Sequence, residues 1–120
     1  GICFVAVDGD RLVGTIAARP SNPADDCPFY REPGVWAFGQ FAVHPECQRQ
    51  GVGRRLLAAV EEVARAEGAH ALALDTAEGA TDLIARYRAW GFEVVGQVDW
   101  RPFTNYLSVV MRKDLGLTTG

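Results

Sequence analysis

Runs of apolar residues separated by polar turns divide the first third of the chain into three predicted strands. Two of these runs cover residues 1–7 and 12–18, and residues 8–11 between them contain Asp-Gly, a strong hairpin signal. The third run, 35–43, is apolar enough to lie at the centre of a sheet. Residues 19–34 contain four prolines, and we expect a long loop there.

The apolar spacing changes to a helical period further along the chain. A helix is predicted over residues 53–67 and ends at Gly68, which suits a left-handed cap. One face of this segment carries its apolar side chains: Val52, Leu56, Leu57, Val60, Val63 and Ala64. A second helix is predicted over 81–90, strands at 71–75, 92–98 and 106–111, and a frayed tail at 113–120.

The composition is that of a single ordinary globular domain. The chain has 120 residues, 48% of them hydrophobic and 22% charged, with a net charge of −3. Without an excess of basic residues, the charge does not favour nucleic acid as a partner. Cys3, Cys27 and Cys47 match neither a disulfide framework nor a metal-binding spacing, so a reducing, cytoplasmic environment is expected.

The most informative stretch joins the third strand to the first helix. Residues 48–55 read Gln-Arg-Gln-Gly-Val-Gly-Arg-Arg. A helix N-terminus has free backbone N–H groups and a partial positive charge, which attract phosphate. Gly51 and Gly53 have no Cβ atom, so an oxygen could approach the backbone closely. These features together predict a diphosphate-binding turn.

Two motifs in this sequence resemble those of a known family. The segment Phe-Ala-Val-His-Pro at 41–45, followed by Gln48-x-x-Gly51-x-Gly53, resembles the acyl-CoA-binding motif of the GNAT superfamily of N-acetyltransferases. The segment 87–92, Tyr-Arg-Ala-Trp-Gly-Phe, is similar to the family's second signature, Y-x-x-x-G-F. Both occur in the family's order, with a helix and a strand between them. The resemblance covers residues 2–115.

The resemblance implies an α/β fold with a mixed, mostly antiparallel central sheet flanked by helices. Residues 1–120 are expected to form one GNAT-like domain. The family's first strand and first helix pair have no counterpart in the sequence, so we expect either a preceding segment or a truncated member. Those helices normally form one wall of the acceptor site.

The resemblance also implies acetyl-CoA as cosubstrate. No metal is expected, because the two histidines lie far apart and the carboxylates are scattered, without the spacing of metal ligands. The diphosphate is expected at the glycine turn and the pantetheine arm along the end of the preceding strand. The residues assigned to the donor are Phe41, Ala42, Val43, Gln48, Arg49, Gln50, Gly51, Val52, Gly53 and Arg54.

Tyr87 matches the family's general acid, which protonates the departing CoA thiolate; the alternative is a tyrosine that only packs in the core. An Asn often precedes this Tyr by seven residues in the family, but Ala80 stands there in this chain. Many members carry a Glu on the central strand, where this chain has Gly39 and Gln40. The general base is therefore left open among a water relay and three carboxylates, Asp75, Glu78 and Asp99.

Asp99 and Trp100 are assigned to the acceptor side, because the loop 99–105 is expected to flank the acceptor entrance together with the proline-rich loop. The function predicted is acetyl transfer from acetyl-CoA to a primary amine of a small molecule or protein, by direct attack in a ternary complex. The alternatives are a non-catalytic acyl-CoA sensor or an interaction domain without CoA. A homodimer is left open, and neither nucleic acid nor a membrane is expected as a partner.

Overall fold

Six strands organise the fold of the residues that the computed structural model describes, 1–48, 50–101 and 103–116. In chain order they are β1 (Ile2–Asp8), β2 (Arg11–Arg19), β3 (Val35–Val43), β4 (Ala71–Ala77), β5 (Glu93–Asp99) and β6 (Leu107–Asp114). Across the sheet the order is β1-β2-β3-β4-β6-β5. Only β3 and β4 run parallel, and the other neighbours are antiparallel. The predicted mixed, mostly antiparallel sheet is confirmed.

Two α-helices cover one face of this sheet. Helix α1 (Val52–Ala66) buries the apolar face that its sequence predicts, with Val63 partly exposed. Helix α2 (Thr81–Ala89) buries Tyr87. Both pack into one core with side chains from the strands, among them Ile16, Phe38, Leu72 and Met111. Among the described residues, no helix combines the length and apolarity that crossing a membrane requires.

The long loop between β2 and β3 covers part of the opposite face. A short 3-10 turn, Pro28–Tyr30, lies within it. Cys27 and Tyr30 are buried there against Val35, Ala37, Ala71, Ala73 and Val110. The Phe29 ring lies over Gly96 of β5 so closely that a Cβ on this glycine would collide with it. The proline-rich loop is thus packed as a second, smaller core.

Strands β3 and β4 pair only at their beginning. Their partners are Val35 with Ala71, Trp36 with Leu72, and Ala37 with Ala73. Further along β3, Ala17 pairs with Gly39 but Thr15 pairs with Ala42, so β3 holds one extra residue, a bulge. Gln40, at the bulge, has a φ of 49°, and the Thr15 hydroxyl donates to its carbonyl at 3.0 Å.

The β3–β4 pairing ends before the middle of both strands. Since the pairing stops at Ala37, the edge of β3 from Phe38 to Val43 has no strand partner on the β4 side. A wedge therefore opens between the two central strands. Backbone groups along a free strand edge can pair with an extended ligand, as they would with another strand.

The C-terminal segment departs from its prediction. We expected a frayed tail from residue 113, but β6 continues to Asp114. Lys113 Nζ donates to Glu61 Oε1 at 2.8 Å, and the buried Leu115 donates its N–H to the His70 carbonyl at 2.8 Å. The frayed-tail prediction is wrong for residues 113–115, because they pair with β4 and pack on α1. Residues 117–120 lie outside the described part of the chain.

Candidate active site

A cavity of about 330 Å³ lies where the end of β3, the turn before α1 and helix α2 meet. Its wall combines glycines, two arginines and an aromatic cluster. The lining residues are Phe41, Ala42, Val43, Gln48, Gly51, Gly53, Arg54, Leu83, Arg86, Tyr87 and Trp90. Its position at the mouth of the β3–β4 wedge lets one ligand contact both the helix terminus and the free strand edge.

The turn before α1 leaves backbone donors available. Gly51 occupies the cap position with a φ of 79°, in the left-handed region, and no side chain caps the helix. The first helical bond runs from the Arg55 N–H to the Gly51 carbonyl at 3.1 Å. The preceding N–H groups of the first turn have no acceptor within the helix. They form a site for an anion, reinforced by the helix dipole.

The arginines near this turn have different roles. Arg55 braces the turn, since its guanidinium donates to the Gln50 carbonyl at 3.0 Å and to the Gly51 carbonyl at 3.3 Å. Arg54 and Arg86 are exposed and line the cavity from α1 and α2 respectively. Their side chains can therefore reach a bound polyanion from two sides.

Gln48 connects the turn to the end of β3. Its side-chain amide donates to the Val43 carbonyl at 3.3 Å. His44 initiates the short 3-10 turn Pro45–Cys47, where its Nδ1 accepts from the Glu46 N–H at 3.2 Å. His44 is thus a capping residue, and the strand end, the turn and the helix start are tied together.

Tyr87 lies in an aromatic cluster on the wall of the cavity. Its ring centroid is 6.0 Å from that of Phe38, 5.9 Å from that of Trp90 and 5.7 Å from that of Phe92. Burial raises the pKa of Tyr87 to about 12, opposed only weakly by the charge of Arg86.

The Tyr87 hydroxyl is available to a ligand. Among the described residues, the Tyr87 hydroxyl has no hydrogen-bond partner. Every side-chain oxygen or nitrogen that is fully buried in the described part of the chain does have a partner. The hydroxyl oxygen is therefore not sealed in the core, although the residue is 5% exposed. A tyrosine placed this way stays protonated at neutral pH and can donate into the cavity.

The structure brings most of the predicted donor residues together. Seven of them line the cavity: Phe41, Ala42, Val43, Gln48, Gly51, Gly53 and Arg54. Gln50 and Val52 line a different cavity, between β1 and α1. Val52 is 8% exposed because its side chain belongs to the core face of α1, so only its backbone can serve the site. Arg49 lies outside the described residues.

Sequence reasoning missed three lining residues as ligand contacts: Leu83, Arg86 and Trp90. Leu83 precedes Tyr87 by four residues and Trp90 follows it by three, so both share its helical face, and Arg86 directly precedes it. That spacing was the available signal. The same spacing is typical of a core face, but Leu83 is 37% exposed and Trp90 is only partly buried.

Asp99 and Trp100 lie away from this cavity. The Trp100 ring packs against the second core, on the face opposite α1 and α2, and its indole N–H donates to Asp75 Oδ2 at 3.0 Å. Asp99 is exposed and binds the Arg101 guanidinium at 2.8 Å. The region to which the sequence assigns acceptor binding therefore lies apart from the donor cavity.

Comparison with known proteins decides the family. Residues 1–92 match the family model described as "Acetyltransferase (GNAT) family". The chain belongs to the GNAT acetyltransferase family. It is 36% identical over 98 residues to human N-acetyltransferase 8, an alignment that covers 81% of this chain and 41% of that protein. The chain thus spans about two fifths of this relative's length.

Solved structures of GNAT proteins share the fold. A nourseothricin acetyltransferase matches 95% of this chain and 65% of its own, with a TM-score of 0.77 and 24% identity. An aminoglycoside 6'-N-acetyltransferase complexed with coenzyme A matches 98% of this chain and 74% of its own, with a TM-score of 0.72 and 20% identity. At these identities the likeness concerns the fold alone.

Proposed function

We propose that this GNAT domain is an N-acetyltransferase that carries the acetyl group of acetyl-CoA to a primary amine of a small molecule or protein. One observation carries the proposal: a single cavity joins the uncapped start of α1, the free edge of β3 and the Tyr87 hydroxyl. An acyl-CoA needs these three features, because it combines a diphosphate, an amide-containing arm and a thioester.

The donor fits the cavity in a defined direction. Its diphosphate would occupy the backbone N–H groups at Gly51–Gly53, with Arg54 and Arg86 neutralising part of the charge. Its pantetheine arm would pair with β3 between Phe41 and Val43, as an added strand does. The thioester would then reach the wedge between β3 and β4, where a backbone N–H can stabilise an oxyanion.

The reaction proceeds by direct attack in the ternary complex. The neutral amine adds to the thioester carbonyl, and the resulting tetrahedral intermediate loses a proton from nitrogen to water, which also restores the proton of Tyr87 at the end of the reaction. Its C–S bond then breaks, and the thiolate accepts a hydrogen bond and finally a proton from Tyr87. The high pKa of Tyr87 keeps that proton in place at neutral pH.

A non-catalytic acyl-CoA sensor is the second candidate. Two departures from the family's pattern favour it: Ala80 stands where an Asn often contacts the pantetheine, and Gly39 and Gln40 stand where many members carry a Glu. Both candidates require donor binding, and only the enzyme releases free CoA with an amine present. A panel of primary amines with thiol detection separates the two.

Donor binding is tested by thermal unfolding. Acetyl-CoA at 100 times its dissociation constant should stabilise the protein by about 2.7 kcal/mol. Gly53→Glu should abolish this shift: a Cβ at Gly53 meets Phe41 and Trp90 only at ordinary distances of 3.5 and 3.6 Å, so the fold tolerates it, while the carboxylate repels the diphosphate.

The matched control places the same charge at the other end of the same helix. Ala66→Glu, at an exposed position, should leave the acetyl-CoA shift intact. If saturating acetyl-CoA does not change the melting temperature of the unmutated protein, both the enzyme and the sensor are ruled out.

A further inference from the structure

Asp75 lies in an unusual environment for a carboxylate. It follows Ala73, the last residue of β4 that pairs with β3, by two positions, and its side chain points to the face opposite the donor cavity. The Tyr30 hydroxyl donates to Oδ1 at 2.6 Å and the Trp100 indole to Oδ2 at 3.0 Å. Both oxygens are thus fixed in place by neutral groups.

This carboxylate has no cation of its own. Three of the carboxylate side chains are partly buried: Asp25, Glu61 and Asp75. Asp25 pairs with Arg19 at 2.8 Å, and Glu61 pairs with Lys113 at 2.8 Å. Asp75 forms no ion pair with any described residue. A half-buried charge is costly without a partner, so a cationic ligand would complete the site.

The surroundings of Asp75 suit an organic cation. Trp100 and Phe29 are partly buried aromatic side chains packed against the same small core. Aromatic faces attract cationic nitrogen and its apolar substituents. Each Asp75 oxygen still has a free lone pair, since each accepts one of the two bonds described.

Asp75 also lies beside the wedge where the thioester would end. Gly39 follows Ala37 by two positions, as Asp75 follows Ala73, so both flank the opening on the same face. A Cβ built on Gly39 meets nothing within 4 Å. A cavity of about 160 Å³ lies on the β2 and β3 side of Gly39, and Asp75 is not part of its lining, which consists of Ala17, Ala18, Arg19, Ala37, Gly39 and Gln40. An acceptor could thus approach the wedge from this face.

We propose that Asp75, held by Tyr30 and Trp100, is the anionic anchor of the acceptor site. It binds, as an ammonium ion, an acceptor whose amine lies next to an apolar group, and this ammonium loses its proton to water before the amine attacks the thioester. This inference rests on the proposed function and names its substrate class. Burial and the hydrogen bond to Asp75 raise the pKa of Tyr30. The phenol therefore stays a neutral donor, and the negative charge that attracts the ligand stays on Asp75.

The Trp100 indole N–H reports on this site directly, because it donates to Asp75. The probe is benzylamine, cationic at pH 7, added to the CoA-bound protein so that no acetyl group is transferred; neutral benzyl alcohol is its matched control. Benzylamine should shift the Trp100 indole resonance in an ¹H–¹⁵N spectrum, and benzyl alcohol should not. Equal binding of the two compounds would overturn the proposal.

Variants then assign the charge to Asp75. Asp75→Asn should weaken benzylamine binding at least about tenfold. With amines that are turned over, it should raise KM more than it lowers kcat. Asp26→Asn removes the same charge at an exposed position of the loop that carries Tyr30 and should change neither. Unchanged benzylamine affinity in folded Asp75→Asn would exclude the anchor.

Two further measurements keep the outcome interpretable. If Asp75→Asn does not fold, the unmutated protein still decides, since benzylamine affinity should fall as salt rises from 50 to 500 mM, about the range over which charge attraction is screened. The acetyl-CoA thermal shift is recorded in parallel. If acetyl-CoA shifts the melting temperature but benzylamine does not bind, only the Asp75 anchor is rejected. If acetyl-CoA causes no shift, the proposed function is rejected.

Discussion

At the scale of single residues, Tyr87 combines two requirements that usually conflict. Its ring packs among Phe38, Trp90 and Phe92, while its hydroxyl stays open to the cavity. Packing fixes the position of the hydroxyl and thereby lowers the entropy lost when it meets a leaving group. The same burial raises its pKa to about 12, so it is always protonated but a weaker acid.

Tyr87→Phe separates these two requirements. The ring and its contacts remain, so the variant should fold and bind acetyl-CoA like the unmutated protein. Turnover should fall by roughly 10²–10⁴-fold, the range for an acid–base group. Free-CoA release measures this.

Tyr106→Phe is the matched control. Tyr106 is 45% exposed and outside the cavity lining, and its hydroxyl should be dispensable. Full turnover in a folded Tyr87→Phe variant would make Tyr87 a packing residue and assign the proton to another source.

At the scale of elements, the two faces of the sheet have different proposed roles. The cavity on the α1 and α2 face suits the acyl donor, whereas the long loop and the β5–β6 connection build the opposite face around Asp75. The wedge between β3 and β4 joins the two faces. On its β3 side lies the bulge at Gln40, where β3 holds one extra residue relative to β2.

The β5–β6 connection should therefore affect the acceptor without affecting the donor. Trp100→Ala removes an aromatic wall and a hydrogen bond to Asp75. Asp99→Asn weakens the clamp on Arg101, whose guanidinium and N–H both donate to that carboxylate, and so loosens the loop next to Trp100.

Both variants should raise the acceptor KM, Trp100→Ala by more, and leave the acetyl-CoA dissociation constant within about twofold. Steady-state kinetics and acetyl-CoA titration measure the two quantities. Val95→Ala, an exposed truncation on the same hairpin, serves as control. Equal loss of CoA binding in both variants would place this loop in the donor site or in the core.

At the scale of the whole molecule, charge and burial predict how stability depends on pH. Eleven of the twelve basic residues are arginines, which stay protonated above pH 12, so most ion pairs persist in alkali. Tyrosines, in contrast to arginines, can lose their protons in this pH range. Folding raises the pKa values of Tyr87 and Tyr30 by desolvation, so the folded state holds their protons more tightly than the unfolded state.

The stability gained from each tyrosine is full below pH 10 and is lost as the pH rises towards 12. The free energy of unfolding should accordingly fall across that window, with Tyr87 contributing up to about 2–3 kcal/mol. Urea unfolding from pH 8 to 12 measures it. Tyr87→Phe should flatten the fall and Tyr106→Phe should not; equal slopes in all three proteins would contradict a buried, shifted phenol.

The sequence by itself determined most of the elements and the glycine turn that precedes α1. Strand and helix periods depend on neighbours a few positions apart, as in α1, whose apolar face is buried as predicted. The glycines at 51 and 53 are equally local, because a cap and a helix terminus are made by consecutive residues. These features could be recognised without knowing which strands pair.

Only the tertiary structure decided what the remaining polar and apolar residues do. Asp75 meets Tyr30 and Trp100 from positions 45 and 25 residues away, and no local pattern encodes such a contact. The tail at 113–115 is ordered because β4 and α1 happen to lie beside it. Leu83 and Trp90 line a cavity whose other walls are the end of β3 and the turn before α1, about 40 residues earlier in the sequence. Helical spacing gives the direction of a side chain, and long-range pairing determines what lies there.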